Sequence, residues 1–157
     1  MATTFTLTDN SEQIKYAIKN VSTAALEEIA SEIESLAASN TRVATGKTKS
    51  KWTHVTVRLK AVIGNTEENA IWEEFGTGEY ALYGNGRKGE WYVCIGYGKN
   101  QMTPETAAKY HFKIVYGKGG TKYAVCKGKK PTRALYNAFM QVKPTLEATF
   151  KMKFKEL

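Results

Sequence analysis

The stretch DNSEQIKYAIKNVSTAALEEIASEIESL, residues 9–36, decides the first element of the fold. Asp9 and Glu12 have the spacing of a helix capping box. Apolar residues then recur at steps of three or four, at Ile14, Ile18, Val21, Ala25, Ile29, Ile33 and Leu36. This pattern predicts an amphipathic helix over residues 11–38, roughly 40 Å long and longer than a core of this size requires. Its acidic side, at Glu27, Glu28, Glu32 and Glu34, is then left for solvent or for a basic neighbour.

Strand patterns follow this helix. Val55, Val57 and Leu59 alternate with polar residues, which predicts a strand that Gly64 and Asn65 close. Residues 91–97, 110–116 and 123–127 are rich in aromatic and β-branched side chains and predict three further strands. The glycine-rich residues 117–120 are a natural hairpin connection between the last two of these strands.

The C-terminal residues again have helical spacing. Pro131 stands at a plausible first helical position, and Ala134, Leu135, Ala138, Phe139 and Val142 follow it. Pro144 is expected to kink or restart this helix, which Leu157 ends. The chain is therefore predicted to be a single α+β domain over residues 1–157. An antiparallel sheet of about four strands, over 52–127 with inserted loops at 76–90 and 98–109, packs against the N-terminal helix and a C-terminal helix at 131–157.

The charge is unevenly placed. The chain of 157 residues carries a net charge of +8. Residues 1–40 contribute −4 and the remainder +12, and residues 42–60 contain no acidic residue. Such a distribution indicates either a polyanionic or acidic partner or a solvated face that keeps the protein soluble. The candidate basic residues for contact with DNA or a protein partner are Arg42, Lys47, Lys49 and Lys51.

The absence of membrane signals points to a soluble protein made inside the cell. No apolar run approaches the length that crosses a bilayer, and the N-terminal residues lack the pattern of a signal peptide. Cys94 and Cys126 lie far apart, without the spacing of a metal or redox site, and are expected to be free, partly buried thiols.

The residues of catalytic type do not form a recognisable constellation. Glu73 and Glu74 are adjacent and point in different directions, which makes them poor partners for acid and base catalysis. His54 and His111 lie in predicted strands, where a structural or solvent-facing role is expected. The glycine-rich loops match no nucleotide-binding motif, and no nucleophile turn is present. We therefore predict neither enzymatic activity nor a cofactor or metal site.

One segment resembles a known family. Residues 70–78, AIWEEFGTG, resemble the A-x-[YW]-[VE]-E-F-G-T-G signature of the tail-completion, or head-tail joining, proteins of long-tailed bacteriophages. Upstream, residues 45–49 resemble the turn that follows the long first helix of that family, with Thr48 where a leucine is usual, and residues 62–65 resemble the strand end before the signature. Downstream, residues 128–131 with Ala134, Leu135 and Ala138 resemble the entry into its last helix, although residues 132–135 lack the usual aromatic and proline pair.

The resemblance implies a structural role in the virion. It implies a homo-oligomeric ring, hexameric to match a phage tail, that is assembled in the host bacterial cytoplasm and sits at the head-tail junction. Its protein partners would be the tail tube or tail-terminator protein and the portal or head-completion adaptor, with genomic DNA passing nearby and no membrane involved. The unlike acidic and basic parts of the chain suit head-to-tail contacts around such a ring.

Aromatic and glycine-rich residues around the signature are the candidate interface. They are Trp72, Glu73, Glu74, Phe75, Gly76, Thr77, Gly78, Tyr80, Tyr83, Arg87, Lys88 and Trp91. For Trp72 and Phe75 the favoured competing interpretation is that they fill the core beneath the sheet. Two alternative functions stay open, namely a head-completion adaptor or tail-terminator ring, and a basic nucleic-acid-binding module.

Overall fold

The computed structural model describes residues 8–42 and 46–155, which form two compact units. The first unit comprises the chain up to Ala70 together with the chain from Arg133 onwards, and the second unit comprises residues 71–132. Helices and antiparallel strands occur together, so the predicted α+β class is confirmed. None of the helices within the described ranges is long and apolar enough to span a membrane.

The first unit begins with helix α1 (Ser11–Asn40), which confirms the predicted long helix. The predicted capping box is wrong, because the Asp9 carboxylate accepts hydrogen bonds from the backbone and hydroxyl of Ser11 instead of capping a later residue. The helix ends at Thr41, whose backbone is extended and whose hydroxyl donates to the Ala37 carbonyl over 2.7 Å. The buried residues of α1 lie from its middle onwards, at Ala25, Ile29, Ala30, Ile33 and Ala37.

A two-stranded hairpin follows, made of β1 (Trp52–Val57) and β2 (Lys60–Asn65). The strands are antiparallel, and Val55 lies opposite Val62. The sequence pattern had indicated one continuous strand here, which is wrong. Arg58 takes a left-handed φ of 56° and turns the chain, although no glycine or asparagine marks the turn.

The hydrophobic core of the first unit lies between α1 and the C-terminal helices. Its buried residues are Ile29, Ile33, Ala37, Ala138 and Val142. The predicted C-terminal helix is divided into α4 (Ala134–Val142) and α5 (Leu146–Phe154), because Pro144 lies in a 3₁₀ turn between them, as its position indicated. The predicted start at Pro131 is wrong, since Arg133 has a left-handed φ of 56° and the helix begins only after it. Leu157, the predicted last residue, lies outside the described residues.

The second unit is built around a three-stranded antiparallel sheet. Its strands are β3 (Trp91–Cys94), β4 (Ile114–Tyr116) and β5 (Lys122–Cys126), with β5 in the centre. All three overlap the predicted strands; β3 and β4 are shorter than predicted, and β5 is shifted by one residue. The described strands thus form two separate sheets of two and three strands instead of one sheet of about four. Alternation along the sequence reveals strands but does not specify which edges pair.

The chain enters the second unit within helix α2 (Asn69–Phe75), and a further short helix, α3 (Pro104–Lys109), lies between β3 and β4. Helix α3 falls inside the inserted loop predicted at 98–109. The sequence signal for the start of this helix is Thr103 followed by Pro104. The Thr103 hydroxyl caps the helix by accepting a hydrogen bond from the Thr106 N–H over 3.3 Å. His111 lies in the turn after α3 with a φ of 52°, so its predicted place in a strand is wrong. Both cysteines are free, as predicted, and burial raises the pKa of Cys126.

His54 joins the hairpin to α1 in the first unit. Its Nδ1 lies 2.5 Å from Oε2 of Glu34, and its Nε2 lies 3.0 Å from Oε1 of Glu27. Both ring nitrogens therefore act as donors when the ring is protonated. The hydrogen bond to Glu34, and next the one to Glu27, raise the pKa of His54 above its ordinary value. Of the two roles expected for His54, structural and solvent-facing, the contacts fit the structural one. The two carboxylates that bind it could not be inferred from sequence spacing.

We expect the stability of the first unit to fall with rising pH through His54. Because the folded pKa lies above the unfolded value of about 6.5, the stabilisation is complete below that pH and is lost as pH rises through the folded pKa. His54→Gln should lower the free energy of unfolding at pH 6 by about 1 to 2 kcal/mol, and by less at pH 9. Urea melts between pH 6 and 9 check this. His111→Asn is the matched control, and a deficit for His54→Gln that does not change with pH would contradict the prediction.

Candidate functional site

The segment that carries the family resemblance forms the turn after α2. The backbone N–H of Gly76 donates to the Trp72 carbonyl over 3.0 Å and ends the helix. Gly76 and Gly78 are both buried and have left-handed φ values of 72° and 60°. Thr77 between them is extended. The alternation of two left-handed residues with an extended one sends the chain sharply away from the helix axis.

A second segment, residues 127–132, lies along this turn. The Thr77 N–H donates to the Lys129 carbonyl over 2.9 Å, and the Lys129 N–H donates back to the Thr77 hydroxyl over 2.9 Å. On either side, Glu79 N–H donates to the Lys127 carbonyl over 2.9 Å and Thr132 N–H to the Glu73 carbonyl over 2.7 Å. Segments more than 50 residues apart are therefore joined along their backbones.

The carboxylate of Glu73 reinforces this junction. It accepts a hydrogen bond from the Lys129 ammonium and another, 3.2 Å long, from the Thr132 hydroxyl. The Glu73 side chain is 22% exposed, so the group is committed to these contacts. Glu74 is half-buried beside it. The contacts of Glu73 join the turn after α2 to the 127–132 segment.

The two glycines are required by space as well as by backbone conformation. A Cβ at Gly78 would lie 2.2 Å from the Lys127 carbonyl oxygen and 2.7 Å from the Trp91 ring. A Cβ at Gly76 would lie 2.8 Å from the carbonyl oxygens of Lys129 and Tyr80. Because backbone atoms occupy the space of both side chains, no other residue fits without moving the 127–132 segment.

An apolar groove opens beside the turn. It has a volume of about 490 Å³, and its walls include Ile71, Trp72, Phe75, Leu82 and Tyr83. Trp72 is 52% exposed and Phe75 38% exposed. The expectation that these two side chains fill the core is therefore wrong. The Phe75 and Tyr83 rings lie 5.7 Å apart and tilt by 35°, so they pack on each other at the groove wall.

The remaining interface candidates lie around the turn. The Arg87 guanidinium is 5.3 Å from the centre of the half-buried Trp91 ring, and the Lys130 ammonium is 5.7 Å from that of Tyr80. Arg87 also lines the groove, and Lys88 is exposed. Sequence reasoning missed Ile71 and Leu82 as groove residues, because only the turn itself brings residue 82 back to α2, through a backbone hydrogen bond from Leu82 to Phe75 of 2.9 Å.

The candidate basic residues Arg42, Lys47, Lys49 and Lys51 belong to the first unit and are not part of this turn. All four are exposed, and within the described ranges none of them forms an ion pair. Lys49 and Lys51 lie in a 3₁₀ turn before β1. Thr45, which begins the upstream part of the family resemblance, lies outside the described residues.

Among residues 8–42 and 46–155, no group of three or more His, Cys, Asp or Glu side chains could hold a metal ion. The geometry instead offers an apolar groove beside a rigid turn, which suits contact with another macromolecule. No protein-family model, curated protein or solved structure matches this chain.

Proposed function

We propose that this protein is a structural component of a long-tailed bacteriophage, forming a ring at the head-tail junction that connects the tail tube to portal or head-completion proteins. The observation that carries the proposal is the pairing of two segments. Residues 70–78 and 128–131 resemble the same family at separate places in the sequence, and Thr77 and Lys129 join these two places by reciprocal hydrogen bonds. If the two resemblances had arisen by chance, there would be no physical reason for both segments to lie in the same structural element.

Exposed apolar surfaces support a role in assembly. Besides the groove at Trp72, the hairpin of the first unit leaves Val55, Val57 and Val62 more than half exposed, at 58%, 60% and 55%. Isolated apolar side chains on a surface are ordinary, but a contiguous patch on one sheet face marks a contact surface. Val55 and Val62 are cross-strand partners, so this patch is contiguous.

The first unit has a geometry that suits head-to-tail contacts. The inner face of the hairpin contacts α1 through His54, so the outer valine face points away from the α1 of its own chain. The N-terminal part of α1 also leaves apolar side chains uncovered, with Ile14 57% and Ile18 45% exposed. Two different uncovered surfaces on one protomer favour a heterologous contact, which closes into a ring when the rotation between copies permits it.

Cryo-electron microscopy of the parent particle tests the proposal. We expect density for this chain as a ring between the portal complex and the tail tube, with the groove at Trp72 in contact with a neighbouring chain. A ring at the tail's upper end without contact to head proteins would instead assign the tail-terminator role. Absence of the chain from the mature particle would overturn the proposal. A monomer in solution would not, because a ring protein of this kind can require a template.

A further inference from the structure

The second unit carries a basic segment without any acidic residue. Residues 106–132 contain no Asp or Glu and seven lysines, namely Lys109, Lys113, Lys118, Lys122, Lys127, Lys129 and Lys130. This segment comprises the end of α3, both strands β4 and β5, and the residues that pair with the glycine turn. Such a one-sided distribution produces a positive field that attracts polyanions.

Some of these lysines have partners within the unit, and others do not. Lys127 pairs with Glu90 over 3.1 Å, and Lys129 pairs with Glu73. In the described part of the chain, Lys113, Lys118 and Lys122 form no ion pair, and all three are exposed. Lys113 immediately precedes β4, Lys118 lies in the turn between the strands and Lys122 begins β5, so their charge is available to a ligand at this hairpin.

A tyrosine-lined groove lies on the same hairpin. It has a volume of about 320 Å³ and is lined by Tyr92, Val115, Tyr116, Gly117 and Tyr123, which come from all three strands and the β4–β5 turn. Tyr92 is 60% exposed and Tyr116 70% exposed. This tyrosine groove shares no residue with the groove at Trp72.

The strand register places one lysine directly beside one of these rings. Tyr116 lies opposite Lys122, so this ring and this lysine are neighbours on one face of the edge strand β4, whereas Val115 and Tyr123 lie opposite each other on the other face. Gly117 keeps the groove open, because a Cβ there would lie 2.8 Å from the Tyr123 ring. The result is a set of exposed aromatic faces next to unpaired positive charge.

We infer that the tyrosine groove binds single-stranded nucleic acid. Unstacked bases stack on Tyr92 and Tyr116, while Lys113, Lys118 and Lys122 contact the phosphates. Base-tolerant stacking combined with a basic track is the general mode of single-strand binding. A duplex is a poorer ligand, because its base faces are already covered by neighbouring base pairs and only its phosphates would reach the lysines. The inference goes beyond the ring proposal and does not depend on it.

Fluorescence anisotropy with a labelled oligo-dT of roughly 20 nucleotides, at about 50 mM salt, tests this inference. We expect saturable binding that weakens as salt rises. Tyr116→Ala and Tyr92→Ala should each weaken binding by at least about fivefold, because stacking on one aromatic residue contributes on the order of 1 to 3 kcal/mol per base. Tyr92→Phe should bind as the unchanged protein does, since it keeps the ring.

Matched controls separate stacking from general charge. Tyr97→Ala removes a tyrosine of the same unit that is 77% exposed and outside the groove, and it should have no effect. Lys122→Gln should weaken binding more than Lys60→Gln, which removes an exposed lysine of the first unit. Circular dichroism verifies that each variant folds. The inference would be overturned by the absence of saturable binding, by alanine variants that bind as tightly as the unchanged protein, or by tighter binding of a duplex of the same length. None of these outcomes bears on the ring proposal, which microscopy tests.

Discussion

Gly78→Ala is expected to lower the free energy of unfolding of the second unit by about 3 to 5 kcal/mol. The added Cβ meets two penalties at once. A left-handed backbone, at φ of 60°, is strained for any L side chain, and the methyl group would lie 2.2 Å from the Lys127 carbonyl oxygen. Relief requires residues 127–132 to separate from the turn, which breaks the hydrogen bonds at Thr77 and Glu79. Urea denaturation followed by tryptophan fluorescence measures the effect, since Trp72 and Trp91 both lie in this unit.

Gly84→Ala separates the two penalties. Gly84 has a similar φ of 67°, but nothing lies within 4 Å of the position that its Cβ would occupy. This variant should lose only about 1 to 2 kcal/mol from backbone strain. Glu73→Gln should also be mild, because Lys129 is 45% exposed and such ion pairs contribute about 1 kcal/mol or less. Equal losses for Gly78→Ala and Gly84→Ala would show that close packing against residues 127–132 does not determine the requirement for glycine.

Trp72→Ala is expected to reduce the yield of infectious particles at least tenfold while leaving the isolated protein stable. The prediction rests on the proposed ring. Trp72 is half exposed and lines the groove, so its removal should destabilise the free chain little. A large aromatic side chain at the centre of a contact commonly contributes about 2 kcal/mol or more to binding. Complementation of a phage that lacks this gene, followed by plaque counting, measures the loss.

Two further variants serve as controls for that experiment. Trp72→Phe should restore much of the yield, because it keeps an aromatic ring in the groove. Tyr97→Ala removes an aromatic side chain that is more exposed than Trp72 but lies outside the groove, and it should support normal yield. An undiminished yield with Trp72→Ala would exclude the groove as a contact essential for assembly. A lower melting temperature for that variant would assign its effect to folding.

Periodicity along the chain was sufficient to predict α1, the position of the C-terminal helices and the strands of the second unit. It failed where a single residue adopts an unusual backbone conformation. Arg58 and Arg133 both take left-handed φ values, one to reverse the hairpin and the other to delay α4. Arginine carries no turn signal, so neither conformation was predictable from the residue type.

The candidate site was predictable only in part. The glycine turn was predictable from its residue pattern. The exposure of Trp72 was not, because a large apolar side chain suggests burial and because the groove beside it forms only when residue 82 returns to α2. The tyrosine groove draws residues from three strands, and strand register is not encoded in any short window. The partners of His54 lie 20 and 27 residues earlier on α1, which only the packing of helix on hairpin brings together.

The hydrogen bond between the Glu73 carbonyl and the Thr132 N–H has a consequence for the order of folding. It closes the second unit into a loop whose ends meet within a few residues of Ala70 and Arg133. The core of the first unit must unite α1 with α4, whose residues follow it by about a hundred positions, and closing a long flexible chain is entropically costly. If the second unit folds first, that closure is already made when α4 forms. The glycine turn would then act as a folding nucleus for the contacts between α1 and α4, in which it takes no part.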